Sequence, residues 1–422
     1  MAQPAGAAVV IIGGGVTGLS SGWWLARSGV DVLVLDKGII GWEASGRNGG
    51  GATHVYSPFG LEEQRLWPQM DELLGYPTEH QPYRIGIALT DTQLALARRS
   101  AEIGESRGFR WELLDRQQLK ELVPIAGDNA IGGTFLHFGG HANPQRTVQA
   151  YAWALQDHGG RILQHTTVTG LTVRGGRVTE VETTGGSIGA ETVIVAAGPQ
   201  TGLFAEMLGV SLPLAPARVE MIATEPLPLL RHGGVAGNGL YGRQTLRGNL
   251  IYGGGPHEWI NVPDMATPEH PNTPLVRNLS RRLAELLPGA AHLRVIRSWG
   301  GVVENTPDGL PVIERLASPD NVVLATMSSV GFGLSPAVGK AISELVLHRR
   351  CLFADLSAIA LGRFADTPPD WRQRAGWIAA GPSAVATTGA SRWPSIPARW
   401  PIRYRSPTVT RPWSWWERAR RA

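Results

Sequence analysis

The sequence predicts an α/β fold organised around one nucleotide-binding βαβ unit. Three observations carry this. Val9 to Lys37 reads VVIIGGGVTGLSSGWWLARSGVDVLVLDK, with glycines in the G-x-G-x-x-G spacing. Thr192–Ala196 is a second apolar run that ends in the small residues Ala197-Gly198. Val322–Thr326 is a third, and it passes through a glycine-containing turn into an apolar helix. At 422 residues the chain holds two or three domains, or one doubly wound fold with large insertions.

Val9–Ile12 is long enough for one buried parallel strand. Gly13 allows the tight turn, Gly15 lets backbone approach a pyrophosphate, and Gly18 permits close helix–strand packing. Leu19–Ser28 has helical spacing, and Val30–Leu35 is a second strand closed by Asp36. An acid at that point suits ribose hydroxyls. Gly38–Gly51 is glycine-rich and follows directly, either continuing along a bound planar ligand or forming a surface loop. Leu61–Leu74, Asp91–Gly104 and Gln117–Leu122 read as helices, and Arg84–Leu89 and Gly133–His137 as strands. That mixture is an insertion, not a βαβ repeat.

Gln145–His158 is a helix begun by Asn143-Pro144. Arg161–Leu163, Val168–Arg174 and Val178–Thr183 read as strands turning at paired glycines, returning the chain to the nucleotide domain through Thr192–Ala196. Pro213–Pro228 is proline-rich and reads as a crossing between domains. Leu240–Gly255 is a hairpin that turns near Arg247-Gly248-Asn249, with Tyr241 and Arg243 on one face. Thr273–Leu287 is an amphipathic helix. Met327–Gly333 reads as the turn before a helix over Leu334–His348, with Pro336 in its first turn.

The bulk numbers exclude several classes. No run of 18 apolar residues predicts a spanning helix, and the N-terminus lacks the pattern of a cleaved signal peptide. Cys351 is the only cysteine, which excludes an internal disulfide and fits a reducing compartment such as the cytoplasm. The formal charge of +4 is uneven: the stretch from Pro368 holds ten Arg and two acidic residues, leaving a mildly acidic body. No nucleic-acid signature is present. No metal site is expected: His137 and His141 are four apart, without a third ligand.

Five stretches together resemble the D-amino acid oxidase-like flavoprotein family: GGGVTG with Asp36, ASGRNGG at Ala44–Gly50, VIVAAGP at Val193–Pro199, WGGVVENTPDGLP at Trp299–Pro311, and GFGLSPAVGK at Gly331–Lys340. The flavour is that of glycine oxidase, the sarcosine oxidase β-subunit and D-amino acid dehydrogenase. The resemblance implies FAD in a discontinuous Rossmann-like domain (1–80, 143–215 and 295–352). It also implies an antiparallel-sheet, α+β substrate domain (81–142 and 216–294), followed by an irregular C-terminal extension (353–422) rich in Arg, Trp and Pro.

Gly13, Gly15, Val16, Thr17 and Gly18 would then take the pyrophosphate. Asp36 would take the adenosine ribose beside Lys37. Ser45, Arg47, Asn48, Gly49 and Gly50 would run along the pyrophosphate and flavin. Val168 would meet the adenine through its backbone, and Ala197 and Gly198 would pass near the cofactor. Gly331, Gly333 and Leu334 would present N–H groups to the flavin O2 edge, where reduced flavin is anionic. Four departures stand out. The ribose acid is Asp where the family has Glu. Val330-Gly331 replaces a histidine in many relatives. Val302 and Val303 stand where some carry a carboxylate-binding arginine. Cys351 lies beyond the last helix and reads as an inert buried thiol rather than a flavin attachment.

The resemblance implies oxidation of a small amino acid or N-substituted glycine. Hydride passes from the α-carbon to flavin N5, and the imine then hydrolyses. Positioning does most of that work. A substrate carboxylate needs a cation, and a guanidinium pairs with both oxygens. Tyr241 and Arg243 are the first candidates and His54, after the flavin loop, is a third. Arg218, Arg297, Tyr252 and His257 stand behind them. Two other readings remain open: FAD-dependent oxidation of another amine or biosynthetic intermediate, and a structural FAD-binding accessory subunit. The tail, with seven tryptophans from Trp371 to Trp416, reads as a membrane-surface or partner-subunit contact or as an extension without a role.

Overall fold

Val9–Ile12 and Val32–Leu35 are apolar without alternation, the pattern of strands covered on both faces. A computed structural model, which describes residues 4–54, 57–255, 257–260 and 270–374, places them at the centre of the first of two sheets. Its order is Val312–Arg315, Val322–Thr326, Gly186–Val195, Gly6–Ile12, Val32–Leu35, Arg161–Leu163. All neighbours are parallel except the first pair. The hairpin Val168–Arg174 with Arg177–Thr183 extends from Gly186–Val195. Helices Val16–Arg27, Pro144–Asp157 and Gly331–His348 cover one face, with Trp23, Leu19 and Tyr151 fully buried beneath them. Val178, Val181, Phe204 and Leu324 belong to the core on the other.

The second sheet runs Glu258–Trp259, Ala215–Pro226, Asn249–Gly254, Leu240–Gln244, Val235–Gly237, Gln81–Ala88, Gly132–His141, Trp111–Leu114. It is antiparallel apart from the pairing of Val235–Gly237 with Gln81–Ala88. Helix Thr273–Leu286 packs Leu275, Leu279, Leu283 and Leu286 against it, a stripe at helical spacing, and Asn272 caps it by accepting from Leu275 N–H.

Several expectations change. The proline-rich Pro213–Pro228 is not a crossing, because Ala215–Pro226 is a twelve-residue strand of the second sheet. Its prolines sit at the ends, where a missing N–H costs least. Strand Val295–Asn305 pairs with it, so this segment lies in the second sheet, whereas the sequence reading grouped it with the first domain. Leu61–Leu74 is not continuous: Gly60–Leu66 and Met70–Leu74 flank a 3₁₀ turn over Trp67–Gln69 that contains Pro68. The last helix begins at Gly331 rather than Leu334, which places Pro336 in its second turn.

The extension from 353 is docked as far as it is described. Phe353 packs on Phe59 with ring centroids 6.1 Å apart. Arg363 donates to Asp308 and to the carbonyls of Ile359, Ala360, Leu310 and Pro311. Trp371 meets Trp259 edge-on at 5.7 Å. The remaining tail tryptophans lie outside the described residues.

Candidate active site

The nucleotide-binding turn is built as its spacing predicts. Gly13 sits at φ +111°, and a side chain there would run into the Ala196 carbonyl. Gly18 lies flush on the Gly13 carbonyl, so the helix crosses the strand closely. Helix Val16–Arg27 starts on Gly15, which has no side chain to cap it, and carries no acid in its first turn, so its positive end favours an anion. Ser45 Oγ accepts from Val16 N–H at 2.9 Å. Asp36 braces the turn: its two oxygens accept from Gly14 N–H and Gly38 N–H, each at 2.8 Å. Each oxygen keeps a lone pair for another donor. Lys37 is exposed beside it, and Val168 opens its strand opposite Thr183.

The glycine loop threads between the two sheets. Asn48 ties it, donating to the Ala44 and Ser45 carbonyls and accepting from Gly50 N–H. Arg47 is spent on protein: Nε donates to the Trp42 carbonyl at 2.7 Å and Nη1 to the Gly300 carbonyl at 3.1 Å. It fastens the loop to strand Val295–Asn305, and Trp299 Nε1 returns a bond to the Arg47 carbonyl at 2.9 Å. Gly51 then bridges His141 in the second sheet.

A second uncapped helix start faces this loop. Val330 precedes Gly331–His348 and no side chain caps it. The turn before it carries Ser328 and Ser329 at φ +47° and +70°, the left-handed region. Glu304, buried, holds that turn by accepting from Met327 N–H, and Ser329 Oγ donates to the Glu304 carbonyl. Gly333 has no room for a Cβ against the His54 ring and the Gly51 carbonyl. His54 Nδ1 lies 3.1 Å from Glu63 Oε1. Glu63 is fully buried and its carboxyl is pushed up by burial, partly offset by His54. Trp67 Nε1 donates to the Gly333 carbonyl at 2.7 Å, and its ring stacks on His80.

These features fit a flavin dinucleotide. A Cβ on Gly51 would meet nothing within 4 Å, and one on Gly15 only Ser45 Oγ, so open space runs beside both. Two helix starts border it, neither capped by its own N-cap side chain, and Gly331 approaches Thr17 where the two helices meet.

The substrate candidates of the second sheet come to the same place. Tyr241 and Met221 pack against Gly49. Arg243 Nη1 donates to the Gly49 carbonyl at 2.9 Å. Arg243 is 4% exposed and forms no ion pair among the described residues; burial brings its guanidinium down to about 10, still cationic at neutral pH. Tyr241 is pushed up to about 12 by burial, so it stays a neutral phenol. His54 is the third member, reaching the loop from the first sheet's side. Arg218 is consumed by Glu220 at 2.6 Å and by the His270 carbonyl. Arg297 is exposed over Trp299. Tyr252 turns into the opposite core, donating to the Val235 carbonyl. His257, held near 4 by burial, lies beside the sheet's edge strand. Cys351 is partly buried and raised to about 11, the state of an inert thiol.

Sequence reasoning did not bring Arg84 and His141 together with Arg243, although His141 feels the charge of both arginines. Arg84 interrupts an apolar strand, and His141 paired only with His137 as a weak metal motif. Their meeting depends on strand pairings distant in sequence. Among the described residues no group of three or more His, Cys, Asp or Glu could hold a metal ion. No helix among them is long and apolar enough to cross a membrane.

A family model described as FAD dependent oxidoreductase matches residues 8–345. The chain is 29% identical over 375 residues to the sarcosine oxidase subunit beta of Rhizobium meliloti (strain 1021), covering 84% of this chain and 88% of the relative. It is 24% identical over 358 residues to the glycine oxidase of Bacillus subtilis (strain 168), covering 81% and 93%. Among solved structures, L-proline dehydrogenase from P. horikoshii superposes with a TM-score of 0.77 over 89% of this chain and 100% of that one, at 24% identity.

Proposed function

Since the chain belongs to the FAD-dependent oxidoreductase family, we propose that it oxidises a small amino acid or N-substituted glycine whose carboxylate is anchored by Arg243. The observation that carries this reading is a buried guanidinium without an acidic partner among the described residues, set against the loop that borders the cofactor space. Holding such a charge out of water costs several kcal/mol unless an anion arrives. A carboxylate supplies one.

Gly13, Gly15, Thr17 and Gly18 would hold the pyrophosphate at the first helix start, and Asp36 the ribose. Gly331, Gly333 and Leu334 would face the flavin from the second. FAD, when bound, supplies a two-electron acceptor for hydride from the carbon next to nitrogen. The chain's own part is placement. Arg243 binds and orients the carboxylate with donors not used on Gly49. Tyr241 closes one wall beside Met221 and keeps a neutral hydroxyl for hydrogen bonding. His54 is fixed in orientation by Glu63, and the helix start at Gly331 favours negative charge on whatever lies before it.

The experiment is an anaerobic titration of the yellow purified protein with N-methylglycine, glycine, proline and a panel of other amino acids. Bleaching of the flavin by at least one of them is expected. Retained flavin that no amino acid bleaches would contradict the reading and point to an accessory role.

A further inference from the structure

Arg243 is not the only cation on its face of the sheet. Ile85, Ile87, Val235, Leu240 and Tyr252 pack into the core on one side. Alternation along each strand turns Arg84, Tyr241 and Arg243 to the other. Ile85 N–H donates to the Gly234 carbonyl and Gln244 N–H to the Gly233 carbonyl, so the 233–234 segment threads between Arg84 and Arg243. Their backbones are therefore about two strand spacings, roughly 10 Å, apart. Gly234 leaves the gap without a side chain. His141 fills one side of it: a Cβ on Gly234 would come within 2.9 Å of His141 Nδ1.

The electrostatics of this cluster are one-sided. His141 feels Arg243, His80 and Arg84, and after burial these neighbours help hold it far below its ordinary value, at about 3. Its ring nitrogens are both buried and make no side-chain hydrogen bond; the Gln244 backbone lies beside one of them. Arg84 is half-buried and makes no hydrogen bond or ion pair with the described residues; burial lowers its guanidinium. The acid that Arg243 feels is Glu79, already engaged by Asn143 Nδ2 at 2.8 Å and close to Arg146. Two guanidinium groups thus face one gap, with a neutral imidazole between them. A monocarboxylate compensates one of the two.

We propose that Arg84 and His141 form a second anion subsite across Gly234 from Arg243, so that the substrate is an amino acid carrying two carboxylates, such as an N-carboxyalkyl amino acid. The proposal rests on the reading of this site as an amine-oxidising one. His141 lines the subsite as a buried ring between the two guanidinium groups and does not act as a base. Arg84 supplies the charge.

The test uses the FAD-loaded enzyme and a pair of unreactive acids that differ by one carboxylate, thiodiacetate and (methylthio)acetate, followed through the perturbation of the flavin absorbance. Thiodiacetate is expected to bind at least about 30-fold more tightly, the lower end for a desolvated charge pair. Arg84→Gln should bring the ratio toward parity and Arg84→Lys should restore part of it. Equal binding of the two acids by the unmodified enzyme would overturn the proposal, and that comparison needs no variant to fold. A preference that survives Arg84→Gln would also overturn it. Anaerobic bleaching by N-methylglycine, iminodiacetate and other amino acids is read separately. If thiodiacetate is preferred and no amine bleaches the flavin, the subsite stands and the oxidative reading fails. If amines bleach and the two acids bind alike, the subsite alone fails.

Discussion

Single side chains in this molecule carry more than one duty. Asp36 was read from sequence as a ribose ligand, and it also accepts two backbone N–H groups that shape the glycine turn. Asp36→Ala should therefore weaken FAD binding by about 1–3 kcal/mol, the cost of stranding a donor and losing a ligand acceptor; titration of the apoprotein with FAD measures it, and unchanged affinity would remove the ribose role. Arg243→Leu should raise the substrate concentration for half-maximal flavin reduction by about 30-fold or more while FAD stays bound. Stopped-flow reduction kinetics would show it. His141 gives the protein a pH signature. Its folded pKa is depressed to about 3, so its contribution is fully present above the ordinary histidine value. It is lost as pH falls from there toward 3, because the unfolded chain takes up the proton first. Over that window His141→Gln should lose stability less steeply than the parent, by up to about 1.4 kcal/mol per pH unit. Denaturant melts across the window test the sign. His141 was visible in sequence only as half of a histidine pair, because nothing local to residues 137–141 reveals the arginines that surround it.

Elements of the first sheet could be read from sequence because their determinants are local. Val9–Ile12, Thr192–Ala196 and Val322–Thr326 are apolar runs ending in small residues, and parallel buried strands have that form. Ala215–Pro226 escaped notice because its prolines read as breaks, while its partners Val295–Asn305 and Asn249–Gly254 come much later in the chain. The last helix starts three residues before the point its apolar spacing suggests. Gly331 and Gly333 signal a turn, yet they lie inside the helix because Met327, His54 and Gly51 press too closely for side chains. Gly333→Ala should therefore displace His54 or the Gly51 backbone, at a cost of about 1–3 kcal/mol in stability. It should lower FAD occupancy in the same preparation; absorbance per folded protein measures that, and full occupancy would show the contact to be slack.

At the scale of the whole molecule, the proposed function rests on a loop shared by two sheets. Gly49–Gly51 touches Tyr241 and Arg243 from below, bridges His141 at the side and meets the Gly333 helix start above. The sequence motifs identified the loop and the helix start separately. The sheet that completes the site was legible only as a hairpin with two residues on one face. The described part of the C-terminal extension adds a latch: Arg363 clamps the Asp308 turn that joins the two sheets, and Arg363→Ala should cost about 1.5–3 kcal/mol, the worth of hydrogen bonds made by a charged group. Denaturant unfolding measures it. The central claim is that a carboxylate-bearing amine meets the flavin under Arg243. The most direct measurement is anaerobic flavin absorbance during titration with amino acids, parent enzyme beside Arg243→Leu. The account predicts that the parent bleaches at low substrate and the variant only at far higher concentration, both with flavin retained. Identical titrations, or a flavin that no amino acid reduces, would contradict it.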